Sequence, residues 1–387
     1  MTPPRIVLLG MLTKMPVAGV VWQTMHYLLG FQRLGYEPWY VEAHGINPSM
    51  FQAGEADTGA RRAADFLSTS MRRFGMGRQW AYQAIHDDGG CYGLSRRGLL
   101  DLYRSAELII NLHGGTTPLA EQAATGRLVY LETDPVALQV ELYQRRQETL
   151  DFLEPHVAFF TFGESYGQPG CRLPVSDRFH FQPTRQPVVV DLWENRMPPG
   201  DTFTTVGTFR QGWREVELDG ETYRWSKNFE WNKVCRLPTR TGERFELALA
   251  GYRRADADML AGHGWGVRPA VDISSDVDTY RSYIVASRAE FTVAKDQNIR
   301  LRSGWFSDRS ATYLAAGRPV ITQETGFSDH LPTGEGLLPF TGFEDAVAAV
   351  TAVSAAPERH SQAASTIARE HFEAETVLRR LLSEVGV

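Results

Sequence analysis

Short apolar runs alternate along this chain with stretches of helical period, and glycine or proline marks most of the joins. Arg5–Gly10 (RIVLLG) predicts a fully buried strand beginning a few residues into the sequence. A loop over Met11–Gly19 leads to a helix over Val20–Leu34, Gly35 closes it, and GYEPWYVEA is the next strand. This order opens a Rossmann-like unit, but no G-x-G-x-x-G accompanies it, so no dinucleotide cofactor is implied.

Beyond a polar, irregular Asn47–Gly59 stretch, a helix is expected over Ala60–Phe74 and a short aromatic run over Gln79–Ala84. Ser95 caps a helix to Ser105, and Glu107–Leu112 is a buried strand ending in His113-Gly114-Gly115. A helix-length segment starts at Pro118. Arg127–Glu132 is a strand with Thr133-Asp134-Pro135 at its carboxyl end, and Val157–Phe162 reads as the last strand of the first half. Gln182–Gly200, with four prolines and a short Val188–Val190 strand, reads as a linker.

The second half opens with a Phe203–Phe209 strand. A hairpin follows over Trp213–Trp225 around Asp219-Gly220, then a helix bearing Trp231 and Val234. Phe245–Ala250 is a strand, Asp256–His263 a helix, Trp265–Asp272 a strand or loop, and Asp276–Ser287 a helix. Phe291–Ala294 predicts a buried strand. A loop with Lys295, Arg300, Arg302 and Arg309 follows, then a helix from Ser307 to Ala316 stopped by Gly317 and Pro319, then a strand from Val320. Ser361–Val385 is one amphipathic helix with a possible kink.

Composition narrows the class. The 387 residues suit two domains, and 43% hydrophobic with 22% charged residues is ordinary for a globular enzyme. A net charge of −6 weighs against a broad basic face for nucleic acid. The three cysteines lie far apart and suggest neither a zinc site nor a disulfide framework. No run approaches the ~18 apolar residues of a membrane span, so a cytoplasmic protein is expected.

The chemistry concentrates after the Phe291 strand. A helix N-terminus offers unpaired N–H groups and a positive dipole end to a phosphate, and Ser307, Ser310, Arg309 and Lys295 surround this one. The plainer alternative is an αβ unit with solvated arginines, and Asp308 in the first turn opposes a diphosphate. His113 and Asp134 stand at carboxyl ends of first-half strands, where either residue type can deprotonate a hydroxyl. His86-Asp87-Asp88 contains metal-ligand types within a Gly-rich turn. Asp256-Ala257-Asp258 sits at a helix start and reads as a cap.

The run WFSDRSATYLAAGRPVI resembles the donor-binding segment of GT-B glycosyltransferases, with Gly317-Arg318-Pro319-Val320-Ile321 matching its Gly-x-Pro-Val-Ile turn. The two glutamates of the large retaining family would fall at Gly304 and Thr312, so both carboxylates are missing. The resemblance implies an α/β fold of two Rossmann-like domains facing a cleft, with a C-terminal helix crossing back to the first. The domains would be 1–185 with 367–387, holding the acceptor, and 200–360, holding a nucleotide sugar.

It further implies a metal-independent hexosyltransferase with no cofactor beyond a nucleotide-diphosphate-sugar co-substrate. Arg210, Lys227, Lys295, Ser307, Arg309 and Ser310 would hold the diphosphate, and Arg268 would lie beside the base. The acceptor would be a natural product, a glycan or another small molecule, with a modified nucleobase as a further possibility. A sugar-nucleotide 2-epimerase and a non-catalytic nucleotide-sugar scaffold are the alternatives.

Overall fold

The computed structural model describes residues 3–54, 56–212 and 214–387. Glu55 in the 47–59 stretch and Trp213, the first residue of the expected hairpin segment, lie outside the described residues.

Two separate sheets organise the chain. The first contains β1 (Arg5–Leu9), β2 (Glu37–Ala43), β3 (Trp80–Gln83), β4 (Cys91–Tyr92), β5 (Ala106–Leu112), β6 (Leu128–Glu132), β7 (Ala158–Thr161) and β8 (Phe181–Pro183). Their spatial order is β4-β3-β2-β1-β5-β6-β7-β8, parallel except for the β3–β4 pair. Ile6, Val7, Leu8 and Leu9 are all fully buried, because the central strand of a parallel sheet is covered on both faces.

The second half adds β9 (Thr202–Thr208), the hairpin strands β10 (Val216–Leu218) and β11 (Glu221–Tyr223), β12 (Arg244–Ala250), β13 (Trp265–Pro269), β14 (Ala289–Thr292), β15 (Val320–Gln323) and β16 (Leu337–Phe340). Apart from the hairpin, these form a parallel sheet in the order β13-β12-β9-β14-β15-β16. That is the doubly wound order, with its switch between β9 and β14; the first sheet switches between β1 and β5. Crevices outside the carboxyl ends of strands at such switch points are where open α/β sheets bind ligands.

The C-terminal segment crosses back as the family resemblance implied, but as two helices. Pro357–His371 packs in the second half with Ile367 and Ala368 in its core. The chain turns at Phe372 and Glu373, and Ala374–Glu384 lays Leu378, Leu381 and Leu382 into the core of the first half. Gly30 on the Ala18–Arg33 helix permits this contact: a Cβ there would stand 2.5 Å from Leu378 Cδ1 and 3.0 Å from Ala374 Cβ.

Several elements differ from the pattern. The first sheet continues past β7 to β8. The segment after Pro118 yields only the short Ala120–Ala123 helix. Val188 makes a single bridge to Glu373, and Val190–Leu192 is a 3-10 turn, so no Val188–Val190 strand forms. Asp296–Leu301 is a helix inside what reads as a basic loop. β16 and the Phe343–Ala355 helix are additions to the pattern reading.

Candidate active site between the two sheets

The carboxyl ends of the two sheets meet. Trp305 Nε1 donates to the Thr133 carbonyl at 3.0 Å, and Ser165 N donates to the Ser303 carbonyl at 3.2 Å. Ser165 Oγ lies 3.0 Å from His330 Nε2, and Arg172 N donates to Leu301 O at 2.8 Å. Gly304 lies where these chains touch. Its φ is +76, and a Cβ would collide with the backbone N of Ser165. Only glycine meets both demands without strain.

Asp134 and Lys295, from opposite halves, form an ion pair in this seam. The Lys295 ammonium also lies 3.1 Å from the centroid of the Trp225 ring and 5.9 Å from that of Trp305. Burial lowers the Lys295 pKa below the usual lysine range, with Asp134 pulling the other way. The second carboxylate oxygen, Asp134 Oδ1, is buried with no hydrogen-bond partner among the described residues.

Lys227 sits in the same field. Burial, then the positive charges of Arg309 and Lys295, push its pKa down to about 7, while Glu290 and Asp134 oppose the shift. Its amine has no hydrogen-bond or ion-pair partner among the described residues. A half-neutral amine within reach of two fixed cations is poised to gain a proton when an anion arrives.

Arg309 is held by partners of its own half. Its guanidinium pairs with buried Glu290 and donates to Val206 O at 2.7 Å and Thr292 Oγ1 at 3.1 Å. Burial opposes its charge, yet Glu290 holds its pKa above the ordinary arginine value. Arg309 is therefore anchored within its own half, with three of its five N–H groups engaged, and its charge reaches Lys227. Arg210 is likewise engaged, in a two-point pair with Asp256 at 2.7 and 2.5 Å. Asp256 accepts from Arg253 N at 2.9 Å as well, so its helix-capping role holds. Arg268 stands at the β13 edge beside Glu246 at 3.5 Å and Asp272 at 3.9 Å.

The Asp308–Ala315 helix begins at Ser307, which is buried and makes no side-chain cap. Ser310 Oγ is buried and unpartnered among the described residues. The backbone N–H groups of Arg309 and Asp308 act on the Asp308 carboxyl itself, whose pKa burial raises. This helix start already carries an internal anion, so an incoming phosphate competes with Asp308.

On the facing side, His113 has a left-handed backbone (φ 63), and its Nδ1 lies 2.7 Å from Thr133 Oγ1. Its Nε2 is buried and unpartnered among the described residues, and burial lowers the ring pKa to about 3. The imidazole is neutral at pH 7, with Thr133 fixing one nitrogen and the other facing inward. Next to Asp134, burial raises the Glu132 carboxyl to about 8.

The structure thus brings together Asp134, Lys227, Lys295 and Arg309, with His113 joined to Asp134 through neighbouring Thr133, while Ser307 and Ser310 lie at the start of the helix that carries Arg309. It pairs Arg210 with Asp256 and leaves Arg268 in loose ion pairs at the β13 edge, its Nε buried without a hydrogen bond among the described residues. Trp225, Trp305 and Glu290 belong to the site although sequence reasoning passed over them. For Glu290 the signal was a lone carboxylate inside an apolar strand.

Asp87 and Asp88 serve turn geometry, accepting from Thr58 Oγ1 at 3.1 Å and Gly90 N at 2.8 Å. Among the described residues no group of three His, Cys, Asp or Glu side chains could hold a metal, and no helix is long and apolar enough to cross a membrane.

A family model described as glycosyl transferase-like matches residues 234–383. No curated protein matches the chain in sequence. Among solved structures, an alpha-glucosyltransferase in complex with UDP-glucose and DNA containing an abasic site is similar, with TM-score 0.61, 8% identity and 100% coverage of both chains. HepE of Anabaena in complex with UDP and glucose gives TM-score 0.54 at 11% identity, covering 99% of each chain. AviGT4, a glycosyltransferase involved in avilamycin A biosynthesis, gives 0.53 at 10% identity, covering 99% of this chain and 97% of that one. Two facing doubly wound sheets, a returning C-terminal helix and these likenesses establish that the chain has the GT-B fold, with a glycosyl transferase-like match across most of its second half.

Proposed function

We propose that this protein is a glycosyltransferase that moves a hexose from a nucleoside-diphosphate sugar to an acceptor hydroxyl, without a metal. The observation that carries this reading is Lys227: an unpartnered amine near Lys295 and Arg309, at the seam of a GT-B fold. The UDP held by the similar alpha-glucosyltransferase and HepE structures supports a nucleotide donor. Residues 200–360 would hold that donor, and residues 1–185 with 367–387 the acceptor.

In the reaction, the acceptor oxygen bonds to the anomeric carbon while the bond from that carbon to the diphosphate breaks. The diphosphate leaves with the electron pair. Lys227 and Lys295 meet its growing charge, with Ser307 and Ser310 hydroxyls beside them. Fixed cations and donors aimed at developing charge lower a barrier as a metal would. The acceptor proton goes to a first-half group, either His113 Nε2 or the Asp134 carboxylate once Lys295 has left it.

A small-molecule or glycan acceptor fits the net charge of −6 better than nucleic acid, although the similar alpha-glucosyltransferase is seen with DNA. The test is release of nucleoside diphosphate from a panel of nucleotide sugars, with and without acceptor mixtures, in EDTA. Acceptor-dependent release in EDTA supports the reading. Interconversion of the sugar without transfer would make the protein an epimerase, and binding without turnover would make it a scaffold.

A further inference from the structure

Outside the cation cluster, the chain buries a carboxylate under the loop that follows β1. Glu42, near the carboxyl end of β2, is fully buried. Its oxygens accept from Thr13 N at 3.0 and 3.2 Å, from Thr13 Oγ1, from Tyr40 OH at 2.5 Å, and from His44 Nε2 at 2.8 Å. Tyr40 OH accepts in turn from Leu12 N at 3.0 Å. Two consecutive backbone amides of the loop are therefore held by side chains of the neighbouring strand.

The loop is drawn close to that strand. A Cβ on Gly10 would stand 2.5 Å from the Tyr40 ring. From the next residue along, Lys14 Nζ donates to Gly115 O at 2.9 Å and links this loop to the one carrying His113. Burying a carboxylate is costly, and apolar side chains would fill the same space at less cost. What Glu42 supplies instead is several acceptor positions fixed in space at the β1/β5 switch point, where the two loops converge.

We propose that Glu42, with Tyr40, is a positioning residue: it fixes the loop after β1 and, through Lys14 and Gly115, the backbone that presents His113 to the reacting groups. This rests on the transferase reading given above.

The experiment combines amide hydrogen exchange with steady-state kinetics on Glu42→Gln and Tyr40→Phe. Tyr103→Phe is the control, since it removes a buried hydroxyl that accepts from Gln122 Nε2 at 3.1 Å on the Arg96–Ser105 helix. In both test variants the Leu12 and Thr13 amides should exchange about tenfold faster or more, while the control leaves them unchanged. Because misplaced groups slow chemistry more than they weaken binding, kcat should fall about tenfold or more with donor KM within about twofold. Tyr40→Phe loses only one hydroxyl and keeps the test open if Glu42→Gln does not fold.

Unchanged exchange at Leu12 and Thr13 would overturn the proposal whatever the kinetics. Faster exchange with unchanged kcat would overturn its functional half. Absence of turnover in the wild type would count against the transferase reading, while the exchange arm still decides the anchoring.

Discussion

Lys295 of the second half and Asp134 of the first are ion-paired across the seam, with the Trp225 ring 3.1 Å from the ammonium. A diphosphate that recruits Lys295 must take it from Asp134. Donor binding and Asp134 are then linked, and linkage acts in both directions. Asp134→Asn, which frees Lys295, should lower donor KM about fivefold or more and also lower kcat. Steady-state kinetics in donor decide this, and a raised KM would show that the pair organises the donor site instead of competing with it.

Arg309→Ala should act on stability before activity. It would leave Glu290 buried without its cation, and breaking a buried pair from one side costs about 3–5 kcal/mol. Thermal melts should show a large loss for Arg309→Ala and partial recovery in Arg309→Met with Glu290→Gln. A melt unchanged from wild type would mean that Arg309 is free to serve the donor after all.

Lys227, if it meets the diphosphate as proposed, should give the donor affinity a pH dependence. Its folded pKa, about 7, lies below the ordinary lysine value of 10.5. Between these values the unfolded chain binds the extra proton, so this group's contribution to stability rises with pH and is lost as pH falls through about 7. Donor binding has the opposite sign, because a diphosphate favours the protonated amine. Donor KM should rise from pH 6.5 to 8.5, and Lys227→Arg, charged throughout, should flatten the profile. A flat wild-type profile contradicts the assignment.

The returning helix tests the fold. Gly30→Ala would force Leu378 or the Ala374 backbone aside, and overpacking of this kind costs about 1–3 kcal/mol. Adding Leu378→Ala should cost less than the sum of the two single changes, because the residues share one contact. Additive melts would mean that the Ala374–Glu384 helix does not rest on Gly30.

Much of the fold was legible because both sheets are parallel and buried. RIVLLG and FELALA announce their strands without context, and Gly317-Arg318-Pro319 marks a helix stop by local chemistry alone. What escaped depends on tertiary contact. Asp296–Leu301 is a six-residue helix with no apolar stripe, ended by Arg302 in a left-handed conformation. The break at Phe372–Glu373 arises where Val188 bonds to the turn between two helices. In the site, the family resemblance named Lys227 as a candidate, and residue type and place named Lys295, Asp134 and His113. It had no means of learning that Glu290 neutralises Arg309 or that Asp256 holds Arg210, since both carboxylates lie far off in sequence.

The proposed contact between Lys227 and the leaving diphosphate is open to direct test. The most direct measurement is kcat and donor KM for Lys227→Ala and Lys227→Met beside the wild type, in EDTA, with thermal melts for each. Loss of a charged contact to the transition state should lower kcat/KM about 10²–10³-fold. The melts should not fall, since the partly buried Lys227 makes no side-chain hydrogen bond or ion pair among the described residues. Wild-type kcat/KM in both variants would contradict the account and place the donor elsewhere.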